Sequence, residues 1–170
     1  FALDIKRSQM PVIEPKDMEV FRRKIREGSI DIFKPHARKN LFPKELVGHT
    51  GDNCLTLGFK DGKIEDDRLR AKLVWEPASN LKPIQKQIWL SEMVRGMLKF
   101  GVPNENSKIL NAPIIISSEK YIIDGHHRWA QVMLSDPNLE MQCLYVPLDI
   151  VTLLNMTRSY GTAIGNLPNM

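Results

Sequence analysis

Residues 112–134 read APIIISSEKYIIDGHHRWAQVML, and the order of residue types within them sets the fold. Pro113-Ile114-Ile115-Ile116-Ser117 is a β-branched run of the kind that fills a buried strand. Ser118-Glu119-Lys120 is a polar turn and Tyr121-Ile122-Ile123 resumes strand character, so the two runs predict a hairpin. Asp124-Gly125-His126-His127-Arg128 follows, after which Trp129, Ala130, Met133 and Leu134 fall at helical spacing. A strand that passes through Asp-Gly into a helix opening on two imidazoles and a guanidinium is a geometry for holding an anion. The first N–H groups of a helix lack intrahelical partners and together carry roughly half a positive charge. A Gly just before them lets an anion approach the backbone, and Arg128 can add a bidentate contact. The same residue types also suit a plain capped helix, with Asp as cap, Gly as turn residue and solvated His and Arg.

At 170 residues the chain is one domain, or one domain with a substantial extension. Its 42% hydrophobic and 26% charged residues are the proportions of an ordinary soluble globular protein. No apolar run approaches the roughly 18 residues that span a bilayer, and the first residues show no secretory signal pattern. No membrane partner is expected. Cys54 and Cys143 lie far apart and outside any metal-ligand spacing, which fits a reduced, cytoplasmic protein. Adjacent helical residues point about 100° apart, so His126 and His127 cannot face one metal together, and no metal site is expected. The formal net charge of +4 mildly favours anionic partners. Its cations cluster early, at Lys6-Arg7, Arg22-Arg23-Lys24-Arg26, Lys34 and Arg38-Lys39, either as a solvated helix face or as a surface for DNA.

Along the chain, residues 1–15 read as an extended lead-in broken by Pro11 and Pro15. Lys16 to Glu27 predicts a helix with an apolar stripe of Met18, Val20, Phe21 and Ile25, stopped by Gly28. Residues 29–51 read as irregular. Cys54 to Phe59 alternates like a strand before an Asp61-Gly62 turn, and Val74-Trp75-Glu76-Pro77 suggests another. Ile84 to Phe100 predicts a long amphipathic helix, Met141 to Val146 a strand, and Asp149 to Asn155 a short helix capped by Asp149. Residues 156–170 read as loose.

The segment IIDGHHRWA resembles the signature of the ParB/sulfiredoxin superfamily, most closely its DGHHR-bearing branch of free-serine kinases and phage ParB-like proteins. Upstream, Asn80-Leu81-Lys82-Pro83-Ile84-Gln85-Lys86-Gln87-Ile88 resembles that family's opening motif, a Pro followed by Gln or Glu at the start of a helix. The likeness spans residues 78–150. It implies a small α+β domain with a mixed sheet over residues 78–157, a basic N-terminal extension over 1–77 and a loose tail over 158–170. It further implies that Asp124, Gly125, His126, His127 and Arg128 form a phosphate-binding element, with Gln85 and Lys82 beside it. The implied ligand is ATP or ADP with Mg²⁺. Asp124 would be a metal contact or proton acceptor, and His126 or His127 would stabilise the transferring charge.

Three features depart from the pattern. In the kinases an acid of the opening motif deprotonates the accepting hydroxyl, whereas Gln85 stands here, and an amide cannot accept a proton at neutral pH. General-base assistance is worth ~10²–10⁴-fold, so either Asp124 or Glu92 takes it over or catalysis rests on positioning and electrostatics. The reactive Cys of sulfiredoxins is replaced by His126, and the arginine-rich box of partition proteins is missing. Three readings stay open: an ATP- or ADP-dependent phosphotransferase or NTPase, a ParB-like nuclease or nucleic-acid-binding module, and an assembly protein without activity.

Overall fold

The computed structural model describes residues 10–28, 30, 68–85, 95, 97, 98 and 101–166. Helix α1, Met18–Glu27, is followed by β1 (Lys72–Pro77), β2 (Ile114–Ile116), β3 (Ile122–Asp124), α2 (His126–Ser135), β4 (Glu140–Tyr145) and α3 (Ile150–Ala163). The strands form one four-stranded sheet in the order β1-β4-β2-β3. β1 runs antiparallel to β4 and β2 antiparallel to β3, while β2 and β4 are parallel, so the sheet is mixed and the fold is α+β.

Both faces of this sheet are covered, which explains why its central strands are unbroken apolar runs rather than alternating ones. Ile115, Ile123 and Leu144 point to one face and pack with Phe21 and Ile25 of α1 and Leu153, Leu154 and Tyr160 of α3. Ile114, Ile116, Ile122, Met141 and Cys143 point to the other, where Val132 of α2 closes over them with Trp129 and Met133 alongside. The indole N–H of Trp129 donates to the Ala78 carbonyl at 2.9 Å, so this residue fastens α2 to the end of β1.

The predicted hairpin is present, with a bulge between Ile115 and Ile116 and with Lys120 at a φ of 69° in its turn. α1 ends at Gly28, whose φ of 75° is the left-handed stop expected of it. Val20 departs from the expected stripe: it is exposed, and Met18, Phe21 and Ile25 alone bury. Asp149 caps α3 through the Thr152 amide at 3.1 Å. The predicted strand at 54–59, the turn at 61–62 and Glu92 lie outside the described residues. Of the predicted helix 84–100, Ile84 and Gln85 are described and are not helical, so its expected start is wrong, while Arg95, Met97 and Leu98 are described and are helical.

Two expected boundaries need correction. The helix begun at Asp149 does not end near Asn155; it continues to Ala163, because Met156 and Tyr160 are buried in the core that α1 also supplies. Phe21 and Tyr160 meet with ring centroids 4.9 Å apart. The part of residues 1–77 that is described is likewise no separate extension, since α1 supplies the core of one face and β1 an edge of the sheet.

Candidate functional site

β3 ends at Asp124, the chain turns at Gly125, and α2 begins at His126. Gly125 has a φ of 106°, a conformation that side-chain-bearing residues rarely adopt. A Cβ there would also lie 2.8 Å from Ile114 Cγ1 and 3.0 Å from a terminal nitrogen of Arg128, so both backbone and space demand glycine. The Gly125 carbonyl accepts the Trp129 amide at 2.9 Å, the first helical bond of α2. The opening turn is the positive end of the α2 dipole.

In front of it is a cavity of about 240 Å³ lined by Gln85, Ile123 and every residue from Asp124 to Arg128. Its opposite wall comes from the distant segment Met10, Pro11, Val12, Glu14 and Pro15. That wall is anchored: Met10 and Ile13 are buried, and the Asn166 side-chain amide donates to the Val12 carbonyl at 3.1 Å and to Asp17 Oδ2 at 2.9 Å. α3 passes so close that a Cβ on Gly161 would sit 3.1 Å from the Val12 carbonyl oxygen.

Each candidate residue has a definite place. Asp124 is partly buried on the cavity wall, and desolvation pushes it up to about 6, even though Arg128 and the amides of Ile13 and Gly125 favour its ionised form. His126 is buried, and its Nε2 accepts the backbone amides of Ile84 at 3.0 Å and Gln85 at 3.2 Å. Burial and the neighbouring His127 lower it to about 3, so it is a neutral imidazole with the proton on Nδ1. That role is to hold the opening motif against α2 rather than to trade protons with a ligand. His127 is partly buried on the cavity wall. Arg128 Nη1 donates to the carbonyls of Ala112 at 2.7 Å and Pro113 at 3.4 Å, so part of its fork staples α2 to the start of β2.

Gln85 is at the cavity, as the resemblance implies, whereas Lys82 is not among its lining residues. The Lys82 ammonium stands 5.2 Å from the centre of the Tyr121 ring, and its peptide group bridges Lys120 and Ile122. Among the described residues no cluster of three or more His, Cys, Asp or Glu side chains converges on a metal-sized point. Glu76 lies in β1 and pairs with Lys120 at 3.0 Å.

Sequence reasoning missed the wall made by residues 10–15. A local signal exists: buried Ile13 precedes a capped turn in which the Glu14 amide donates to Asp17 Oδ2 at 3.2 Å, a hydrophobic-then-cap arrangement. Nothing in it indicates that the segment meets Gly125. Searches against family models, curated proteins and solved structures find no match to this chain.

Proposed function

We propose that the protein binds the phosphate groups of ATP or ADP, as the magnesium complex, at the opening turn of α2, and acts as a phosphotransferase or NTPase. The observation that carries this reading is the 240 Å³ cavity bounded by the Gly125–Arg128 turn. Pockets for whole drug-sized ligands run from about 300 to 1,000 Å³, so this one suits a phosphate tail with the nucleoside toward its mouth. The side-chain space of Gly125 is filled by Ile114 and Arg128, so an oxyanion reaches the turn through the cavity, at the positive end of the α2 dipole. Two carboxylates, Asp124 and Glu14, share the cavity with one guanidinium, so a bare phosphate meets repulsion that a magnesium complex relieves. Calorimetric titration with ATP and ADP, each with Mg²⁺, tests the reading. Binding that weakens several-fold in His127→Ala, with the fold intact by circular dichroism, supports it; no binding to the wild type removes it.

A second reading has its own observation. The Leu69 amide donates to the Ile25 carbonyl at 3.2 Å, which draws Arg68 and Arg70 beside the end of α1. Arg23 and Arg26 are exposed on that helix, as are Arg68 and Arg70. Four cations from two distant stretches thus share one surface, diluted by Glu19 and Glu27. This surface suits a nucleic-acid backbone, and binding to duplex DNA that falls steeply with salt and ignores nucleotide would favour that reading over the first.

A further inference from the structure

Among the described residues β1 is one edge of the sheet, with β4 on its inner side. The neighbouring ladder shows which of its peptide groups face outward. The Val146 amide donates to the Ile116 carbonyl at 3.0 Å, so the peptide groups of Leu144 and Val146 point toward β2. Those of Met141, Cys143 and Tyr145 alternate with them and point toward β1, where their partners are Glu76, Val74 and Lys72. The N–H and C=O groups of Leu73 and Trp75 therefore point away from the sheet. Among the described residues nothing bonds to them. The next outward position is Pro77, which has no N–H to leave unpaired, as suits an edge strand.

Edges of this kind invite pairing with another strand, and proteins commonly blunt them with charge. This one instead carries Leu73 at 42% and Trp75 at 48% exposure, side by side on the sheet face that holds their β4 partners Leu144 and Gln142. The strand is also complementary to itself. Two copies laid antiparallel about a two-fold axis at Val74 bring Leu73 opposite the partner's Trp75, and Lys72 opposite the partner's Glu76. Leu73 and Trp75 are the outward-facing residues, so each such pair exchanges two main-chain hydrogen bonds, and the two-fold repeats it. The charges also match: Lys72 is exposed, and Glu76 holds Lys120 through Oε1 at 3.0 Å while Oε2 has only the Asn80 amide, at 3.4 Å.

We infer that β1 is a homodimerisation edge: two chains join antiparallel along Lys72–Pro77, in the register that sets Leu73 against the partner's Trp75 and Lys72 against the partner's Glu76. The two sheets then run on into one another. A contact along one short strand is small, so the dimer belongs to the weak, micromolar class. The aromatic anchor at its centre is Trp75.

Sedimentation velocity on the full chain, under reducing conditions and from low to high micromolar concentration, tests this. The wild type is expected to pass from monomer to dimer, with hydrogen exchange at the Leu73 and Trp75 amides slowing as the dimer fills. Trp75→Ala is expected to abolish the dimer with little change in the thermal melt, because the indole is half exposed. Lys72→Glu and Glu76→Lys each place like charges opposite one another twice per dimer, and each is expected to weaken association by roughly three- to thirtyfold. Mixed in equal amounts, these two variants present opposite charges at both positions and are expected to regain the association that each lost. A wild-type chain that stays monomeric throughout overturns the proposal. So does a dimer that Trp75→Ala and Lys72→Glu leave intact, or one in which the Leu73 and Trp75 amides exchange at the monomer's rate. A mixture no more associated than its components, both folded by circular dichroism, overturns the register and the proposal with it.

Discussion

His126 Nε2 lies 3.0 Å from the backbone nitrogen of Ile84, forty-two residues earlier in the chain, and accepts its hydrogen. Burial, with His127 beside it, holds this imidazole down at about 3, so it keeps the lone pair that the contact uses. In the unfolded chain it titrates near its ordinary 6.5. Between about 3 and 6.5 the unfolded state therefore binds the extra proton, and this group's stabilising contribution is lost as the pH falls through that range. Asp124 works in the opposite sense. Its folded value of about 6 exceeds the ordinary 3.8, so between those values the folded state binds the extra proton and stability is lost as pH rises. Each contributes a slope of about 1.4 kcal/mol per pH unit, with opposite signs, and the two offset between roughly pH 4 and 6. Asp124→Asn is expected to expose the His126 slope, so that the melting temperature falls on acidification from pH 6.5. His126→Gln, which keeps an acceptor for Ile84, is expected to expose the Asp124 slope, with stability falling as pH rises from 4 to 6. Thermal melts of the three proteins at half-unit pH steps decide it; parallel profiles would refute the pairing.

The Arg128 fork carries a structural load that a purely ligand-binding arginine would not. Its 2.7 Å bond to the Ala112 carbonyl joins α2 to the start of β2, and its charge favours the ionised form of Asp124. Removing it leaves a part-buried carbonyl without this donor and Asp124 without its cation, a loss of about 2–4 kcal/mol. For a chain of this size that is roughly 5–15 °C in melting temperature. Arg128→Ala is also expected to push Asp124 further upward, because the cation that lowers it is gone. Arg128→Lys keeps the charge without the planar fork, and is expected to fall between wild type and Arg128→Ala in chemical denaturation.

The hairpin and the strand–Gly–helix passage were legible in the sequence because every determinant is local: β-branched runs, a polar turn and a glycine placed where the chain changes type. The rest was hidden by contacts that no local pattern encodes. Gly161 reads as a helix breaker, yet it lies inside α3, where the absent side chain lets the Val12 carbonyl approach. Residues 10–15 read as a lead-in because their partners, Asp124 and Asn166, are more than a hundred residues away. The imidazoles at the start of α2 read as equivalent, and only packing separates a buried His126 that accepts backbone amides from a partly exposed His127. The sequence pattern located the cavity floor and left its far wall invisible.

Gly125→Ala tests whether the turn is built as tightly as the distances say. The new Cβ must adopt a φ of 106° and sit 2.8 Å from Ile114 Cγ1, in a side chain that is fully buried and cannot retreat. The backbone term alone costs about 1–2 kcal/mol, and overpacking adds about 1–3 kcal/mol. The expected outcome is a destabilisation of about 2–5 kcal/mol in urea melts. Ile114→Ala removes the obstructing Cγ1, so its own cost in the Gly125→Ala background is expected to be smaller than in the wild type. Full additivity of the two changes would show that the predicted clash is absent.

Sulfate reports the charge balance of the cavity without titrating itself. At pH 7.5 Asp124 is ionised and opposes an anion before the opening turn of α2; below about 6 it becomes neutral while Arg128 keeps its charge. Removing one unit of repulsion a few ångströms from the anion, in the partly wet dielectric of such a site, is worth about 1 kcal/mol or somewhat more. Sulfate affinity is therefore expected to rise by about five- to tenfold as the pH falls from 7.5 to 5.5, because each 1.4 kcal/mol is tenfold. In Asp124→Asn the affinity at pH 7.5 is expected to match the acid value of the wild type and to change little with pH. His126, neutral throughout that range, adds nothing to the slope. Calorimetric titration at constant ionic strength separates this local effect from general charging of the surface: an equal rise in both proteins would assign it to the surface and not to Asp124.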